Sequence, residues 1–271
     1  MTMYLGSMDH SPSEQLGAPD DWHTTVLVLS EAGQHDDAAK DVALRLGCRD
    51  GLLKKWSKNP PYRWKNKFEA ALMDALPGHA VYVRAICAQA RTISQSYTHM
   101  IEQLGLTGLV ETYSKNEKPY LRFGPFMRIA AEGKSEPAYF NIIERQALPL
   151  IFICHFVFRM HQHLMQIVKK GSPEIEWIDW QLMPNKFPGD VAGPMGSLFH
   201  AIMSGAAHQR LIAGNIRVLT FNSAKDDLGS SFADNIAGWL SEELGKEPNG
   251  FALPVIGNSL VGEIWRGKTT T

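Results

Sequence analysis

Cysteine is scarce in this chain. Its 271 residues hold three, Cys48, Cys87 and Cys154, far apart and in no Cys-x-x-Cys pair. That argues against a disulfide framework and a thiolate zinc site, and it fits a reducing cytoplasm. Neither charge is in excess: 27 Lys and Arg stand against 28 Asp and Glu, a formal net charge of −1. The chain as a whole therefore offers no general attraction to phosphate backbones, and a nucleic-acid surface has to be a local basic patch. Long apolar runs are missing too. The most apolar stretch, Leu148–Phe158, is broken by Pro149 and His155 and followed by Arg159. It is too short to span a bilayer and reads as a buried helix, so no membrane association is expected. The first residues show no basic region leading into an apolar core, so no signal peptide is visible.

Several catalytic signatures are also absent. There is no Gly-x-Ser-x-Gly elbow, no dinucleotide fingerprint and no His-Glu-x-x-His pair. Gly193-Pro194-Met195-Gly196-Ser197 lacks the Lys-Ser/Thr of a phosphate loop, and a helix start with proline near its first turn accounts for it equally well. Of the ten histidines, His155 and His163 share a helix stripe with Arg159, and His200 and His208 stand two turns apart. None has tight metal-ligand spacing, and helix packing or surface exposure explains them better. What remains is an ordinary globular composition, 44% hydrophobic and 20% charged, long enough for one large domain over residues 1–271.

The hydrophobic patterning predicts strands at Met3–Met8, His23–Leu29, His79–Cys87, Glu174–Leu182 and Ile216–Phe221. Helices are expected over His35–Leu46, Arg63–Leu76, Thr92–Leu104, Pro194–Ile212 and Ser230–Leu244, with one long or two shorter ones over Glu136–Lys170. Glu111–Phe126 reads as a short strand pair or an irregular excursion. The alternation implies an α/β fold with a mixed sheet covered on both faces, the early strands antiparallel at an edge, and a helical insertion at about 105–170.

Two segments carry chemistry. In Asn215–Leu240 an apolar strand is followed by a charged loop and a helix with Asp234 on its first turns. An acid there can hold a divalent cation, and it is also a favoured helix-start residue. In residues 54–67 Trp56, Tyr62 and Trp64 interleave with six basic residues, Lys54, Lys55, Lys58, Arg63, Lys65 and Lys67. Aromatic faces and cations suit a nucleic-acid strand, a protein partner, or anchoring of the loop to the core.

The order of elements and three short words resemble an uncharacterised bacterial RNase H-like family, a domain of unknown function. Ser223-Ala224-Lys225 stands near that family's Ser-Lys loop. Ala233-Asp234 and Ile236-Ala237-Gly238 match its last helix, and Leu53-Lys54-Lys55-Trp56 echoes its Lys-Trp word. The resemblance implies an RNase H-like mixed sheet flanked by helices. It also implies carboxylates from the first strand, an early helix, a middle strand and the last helix around Mg²⁺ or Mn²⁺, the arrangement of a metal-dependent nuclease. Asp234 matches the last position and Asp179 fits the middle one. Gly6 and Ser7 occupy the first-strand position, which Asp9 fills if the strand runs longer, and Leu53 replaces the early glutamate. Glu31, in a diverged Asp-Glu-Ser-Gly word at Ser30–Gly33, is a further metal-ligand candidate or a solvated turn residue. Two readings follow. One is a nucleic-acid-associated protein with a degraded nuclease site, catalytic residues Asp179 and Asp234. The other is a catalytically silent protein-interaction subunit of a larger assembly.

Overall fold

Residues Val26 to Leu29 are entirely buried, which a strand achieves only when both faces of its sheet are covered. A computed structural model describes residues 3–11, 15–31, 34–56, 62–129, 132–169, 177–182, 198–199, 201–202, 216–221, 228–246, 252–253, 255–256 and 260–267. Its centre is an antiparallel ladder of β1 (Met3–Ser11), β2 (Trp22–Glu31) and β3 (Val81–Gln89). Between β2 and β3 lie α1 (Gln34–Arg45) and α2 (Tyr62–Ala75). After β3 come α3 (Ala90–Gln95) and α4 (Tyr97–Gln103). They are followed by β4 (Val110–Lys115), β5 (Lys118–Ile129) and β6 (Ser135–Ile143), and then α5 (Glu144–Lys169). The chain ends with β7 (Trp177–Leu182), β8 (Ile216–Phe221), α6 (Leu228–Lys246), β9 (Val255–Ile256) and β10 (Leu260–Ile264).

The main sheet has the order β8-β7-β1-β2-β3-β10-β9, with β7 parallel to β1, β8 parallel to β7 and β10 parallel to β3. The fold is thus α/β with a mixed sheet flanked by helices. The early antiparallel strands, expected at an edge, occupy the middle. Parallel strands add to them on one side, and the C-terminal pair, which the periodicity did not reveal, adds on the other. Side-chain alternation divides the core in two. Val26, Val28, Val83 and Ala85 pack with α1, α2 and α6. Met8, Leu27, Leu29 and Ile86 pack with α3, α4 and α5.

The 105–170 segment, expected as a helical insertion, is helical only in its second half. Its first half is a separate antiparallel sheet, β4-β5-β6. Leu121, Phe123, Phe126 and Ile142 turn one face of that sheet onto the α5 core. Helix α5 runs unbroken through Pro149. Proline supplies no N–H to the carbonyl four residues back, so the oxygen of Arg145 is released from the helix ladder. It is satisfied instead by the N–H of Leu16 at 2.7 Å, while the Arg145 guanidinium donates back to the Leu16 carbonyl at 3.0 Å. This reciprocal pair ties the β1–β2 connection to α5. Helix α1 closes with Gly47 at φ +83°, where the Cys48 N–H reaches back to the Ala43 carbonyl and that of Gly47 to Leu44. This is the glycine-terminated hydrogen-bond pattern of a left-handed helix end. Of the expected Pro194–Ile212 helix, Leu198, Phe199, Ala201 and Ile202 are described and helical; the rest, with His200, His208 and the Gly193–Ser197 turn, lies outside the described residues. No described helix is long and apolar enough to cross a membrane.

Beneath α5 lies a buried histidine cluster. One His10 ring nitrogen meets the Thr25 hydroxyl at 2.7 Å and the other meets His23 Nδ1 at 3.1 Å, the two rings stacked. His155 packs against Trp265 and against the edge of His99. Burial lowers His23 to about 4 against a weaker opposing pull from Asp21. Burial, with Arg159 and His99 nearby, lowers His155 to about 3. Both folded values lie below the ordinary 6.5, so the unfolded chain binds more protons as the pH falls from 6.5 towards 4, and stability is lost in that window. Each histidine contributes about 2 kcal/mol of loss between pH 7 and pH 5. Urea unfolding at the two pH values measures this, and His155→Phe is expected to remove one histidine's share of the difference.

Candidate functional site

Helix α6 has two working faces. Phe232, Ala233, Ile236, Ala237, Leu240 and Leu244 recur at helical spacing and pack into the core. A second, polar stripe of Ser231, Asp234, Asn235 and Glu242 grips the segment that precedes α2. The Ser231 hydroxyl donates to the Leu53 carbonyl at 2.9 Å, and Asn235 Nδ2 donates to the Lys54 carbonyl at 2.9 Å. The Trp56 N–H donates to Asp234 Oδ2 at 3.0 Å, and its indole N–H donates to Glu242 Oε2 at 3.0 Å. Residues 52–55 have no regular secondary structure, so α6 satisfies backbone groups that no helix or sheet ladder serves.

Trp56 was expected among the nucleic-acid or partner contacts. It is only 7% exposed and lies inside the core, edge-on to Phe68 with ring centroids 5.4 Å apart. A β-carbon at Gly238 would collide with its indole, so the glycine of the Ile236-Ala237-Gly238 word is the notch into which Trp56 fits. Trp56 anchors the loop because the indole is large, apolar and finds a carboxylate for its single donor. Lys54 is exposed and Lys55 half-buried between the buried Leu53 and Trp56, and Lys67 is exposed on α2. Arg63, Trp64 and Lys65 begin α2, but their side chains fall outside the description, and Lys58 lies outside the described residues.

The acids are spread along the sheet. Strand β1 continues through Ser11, which puts Asp9 on the strand, 3% exposed and opposite Val26 on the α6 side of the sheet. Asp234 is also buried, at 8% exposure. Asp179 pairs with Leu5, four positions from Asp9, a separation of about 13 Å along the strand direction. Glu31 pairs with Tyr4, five positions from Asp9 in register, about 16 Å away. The register thus leaves Asp9 apart from both Asp179 and Glu31. Among the described residues no group of three or more His, Cys, Asp or Glu side chains is placed to hold a metal ion. Leu53, standing at the early-glutamate position, is buried and offers only its carbonyl, to Ser231. Two-metal phosphodiester chemistry needs several converging carboxylates to hold the ions. The described residues do not fit that requirement.

Two of the three cysteines are buried. Burial pushes the Cys87 thiol up to about 12, and the Cys154 thiol is raised by the same cause. Neither forms a thiolate near neutral pH. Arg159 pairs with Glu263 at 3.1 Å. Sequence reasoning missed Ser231, Asn235 and Glu242. Their signal was present as a polar stripe at three-, four- and seven-residue intervals on an otherwise apolar helix, but nothing local says what the stripe meets.

No protein-family model matches the chain, and no curated protein matches it.

The notch makes a direct prediction. Gly238→Ala forces Trp56 out of its seat and is expected to cost about 1–3 kcal/mol, the range for overpacking a filled site. Trp56→Ala leaves a cavity and is expected to cost about 3–5 kcal/mol. Both values are read from urea unfolding at pH 7.

Proposed function

We propose that this protein is a divergent RNase H-like protein that associates with nucleic acid through the basic segment at 54–67 and has a degraded metal-dependent nuclease site. One observation carries the reading. The strands β3, β2 and β1 form an antiparallel run, β7 and β8 add in parallel beside β1, and the helix after β8 crosses back over β1 and β2. This agrees with the mixed sheet flanked by helices that the resemblance implies, with β9, β10 and the β4–β6 sheet as additions. Supporting the association with nucleic acid are the exposure of Lys54 and Lys67 and the partial exposure of Lys55, all within one basic stretch of sequence. A local cluster of this kind is what a chain of net charge −1 needs to hold a phosphate backbone. Supporting the degraded site is the dispersal of Asp9, Asp179 and Glu31 and the engagement of Asp234 with Trp56. Mg²⁺ or Mn²⁺ would then lack the several converging carboxylates that fix such ions.

A second reading, a catalytically silent interaction subunit, draws on the outer face of the β4–β6 sheet. Met127 is 71% exposed there and Tyr139 49%, the latter beneath the Arg122 guanidinium at 4.5 Å. Aromatic, methionine and arginine side chains are the residues enriched in protein interfaces.

Fluorescence anisotropy with labelled single- and double-stranded oligonucleotides separates the two. Binding is expected to weaken steeply with salt, and Lys54→Ala with Lys55→Ala and Lys67→Ala is expected to reduce the slope of log K against log salt by about 2 to 3. No Mn²⁺-dependent cleavage should accompany binding. Strong cleavage abolished by Asp9→Asn would overturn the degraded site. Salt-independent or absent binding would remove the nucleic-acid reading. Loss of a co-purifying partner on Met127→Glu would then support the second.

A further inference from the structure

Resting on the nucleic-acid reading, we infer that Asp234 and Asn235 are positioning residues, holding Lys54 and Lys55 in a pre-ordered pose for a phosphate backbone. Three observations combine. The segment from Leu53 to Trp56 is irregular, yet the carbonyls of Leu53 and Lys54 and the N–H of Trp56 each have a side-chain partner on α6. Asn235 Nδ2 is itself held by a second bond, to the Ser231 carbonyl at 2.8 Å, which fixes the amide that grips Lys54. Leu53 and Trp56 are both buried, so the two lysines sit between two anchored residues.

A flexible basic loop loses conformational freedom when it closes on a phosphate, and that loss is subtracted from affinity. A loop whose backbone is already pinned at three consecutive points avoids much of it. Asp234 acts here through Trp56: its carboxylate accepts the N–H, a charge-assisted bond stronger than one to a neutral acceptor. This role is the opposite of what simple charge addition suggests. Counted as a charge alone, Asp234 repels phosphate, and its removal should tighten binding. As a clamp, its removal should loosen it.

The experiment measures binding of a labelled mixed-sequence DNA single strand in EDTA across a salt series, for the full-length chain. Asp234→Ala is expected to weaken binding about tenfold, the effect of one lost charge-assisted hydrogen bond, with the salt slope unchanged. Asp234→Asn, whose amide oxygen can still accept the Trp56 N–H, is expected to restore most of the affinity. Lys54→Ala with Lys55→Ala should instead lower the slope. Hydrogen exchange provides a readout independent of nucleic acid: the Trp56 amide should exchange faster in Asp234→Ala than in the parent or in Asp234→Asn. Asn235→Ala, expected to weaken binding in the same direction, serves if Asp234→Ala does not fold.

Unchanged or tighter binding by Asp234→Ala, while the lysine variant is weakened, overturns the clamp and leaves the nucleic-acid reading standing. A lysine variant that binds as the parent does, or a parent that does not bind, overturns both. A loss in Asp234→Ala that appears only when Mn²⁺ is added assigns the carboxylate to metal binding and overturns the clamp.

Discussion

Coverage of the central ladder on both faces constrains nearly everything else in this molecule. Strands β1, β2 and β3 have no solvent face, so a polar group they bring inside is costly unless it finds a partner within the protein. Thr24 donates to Cys87, the Arg84 guanidinium to the Val83 carbonyl, and Thr25, His10 and His23 form a chain of contacts under α5. The same constraint keeps His23 and His155 neutral near pH 7, because burial makes a charged imidazolium costly. Helix α5 meets the constraint differently: proline inside it frees a carbonyl, and the loop after β1 supplies the missing donor. Layer and loop are therefore joined by the same defect that, in isolation, would have split the helix.

On the other face, α6 unites structure and proposed function. Its apolar stripe fills the space above β1 and β2, while its polar stripe organises a segment that has no secondary structure of its own. Gly238 allows the indole of Trp56 to approach the helix, and Glu242 receives the indole N–H. The basic loop is thus an outgrowth of the core rather than an independent appendage. That arrangement explains why a tryptophan among lysines is buried: it is the foot on which the cationic residues stand. It also gives the acid in the family-like helix word a task that requires no metal.

Much of the fold was legible from local pattern. Strand and helix periodicities located β1, β2, β3, β8, α1, α2 and α6 within a few residues, because each has one strongly apolar face or is apolar throughout. The β4–β6 sheet was obscured because its exposed face carries Lys, Glu and Arg, and its buried residues are few and separated by a bulge at Gly124-Pro125. β9 and β10 were missed because strands of two and five residues carry too little alternation to stand out. At the candidate site, the basic character of 54–67 and the acid on the last helix were both visible. Their connection was not, since Trp56 and Asp234 are 178 positions apart in the chain.

By itself, then, the sequence determined the α/β class, the covered sheet, the local basic stretch in a nearly neutral chain and the lack of a Cys-x-x-Cys, Gly-x-Ser-x-Gly or dinucleotide motif. These properties depend on composition and on periodicities that extend over a few residues. Only the tertiary structure decided that the antiparallel strands lie at the centre and that Asp9 stands level with neither Asp179 nor Glu31. It also decided that Asp234 faces a backbone N–H. Register and long-range hydrogen bonding depend on which elements become neighbours, and that is set by the packing of the whole chain rather than by any stretch of it.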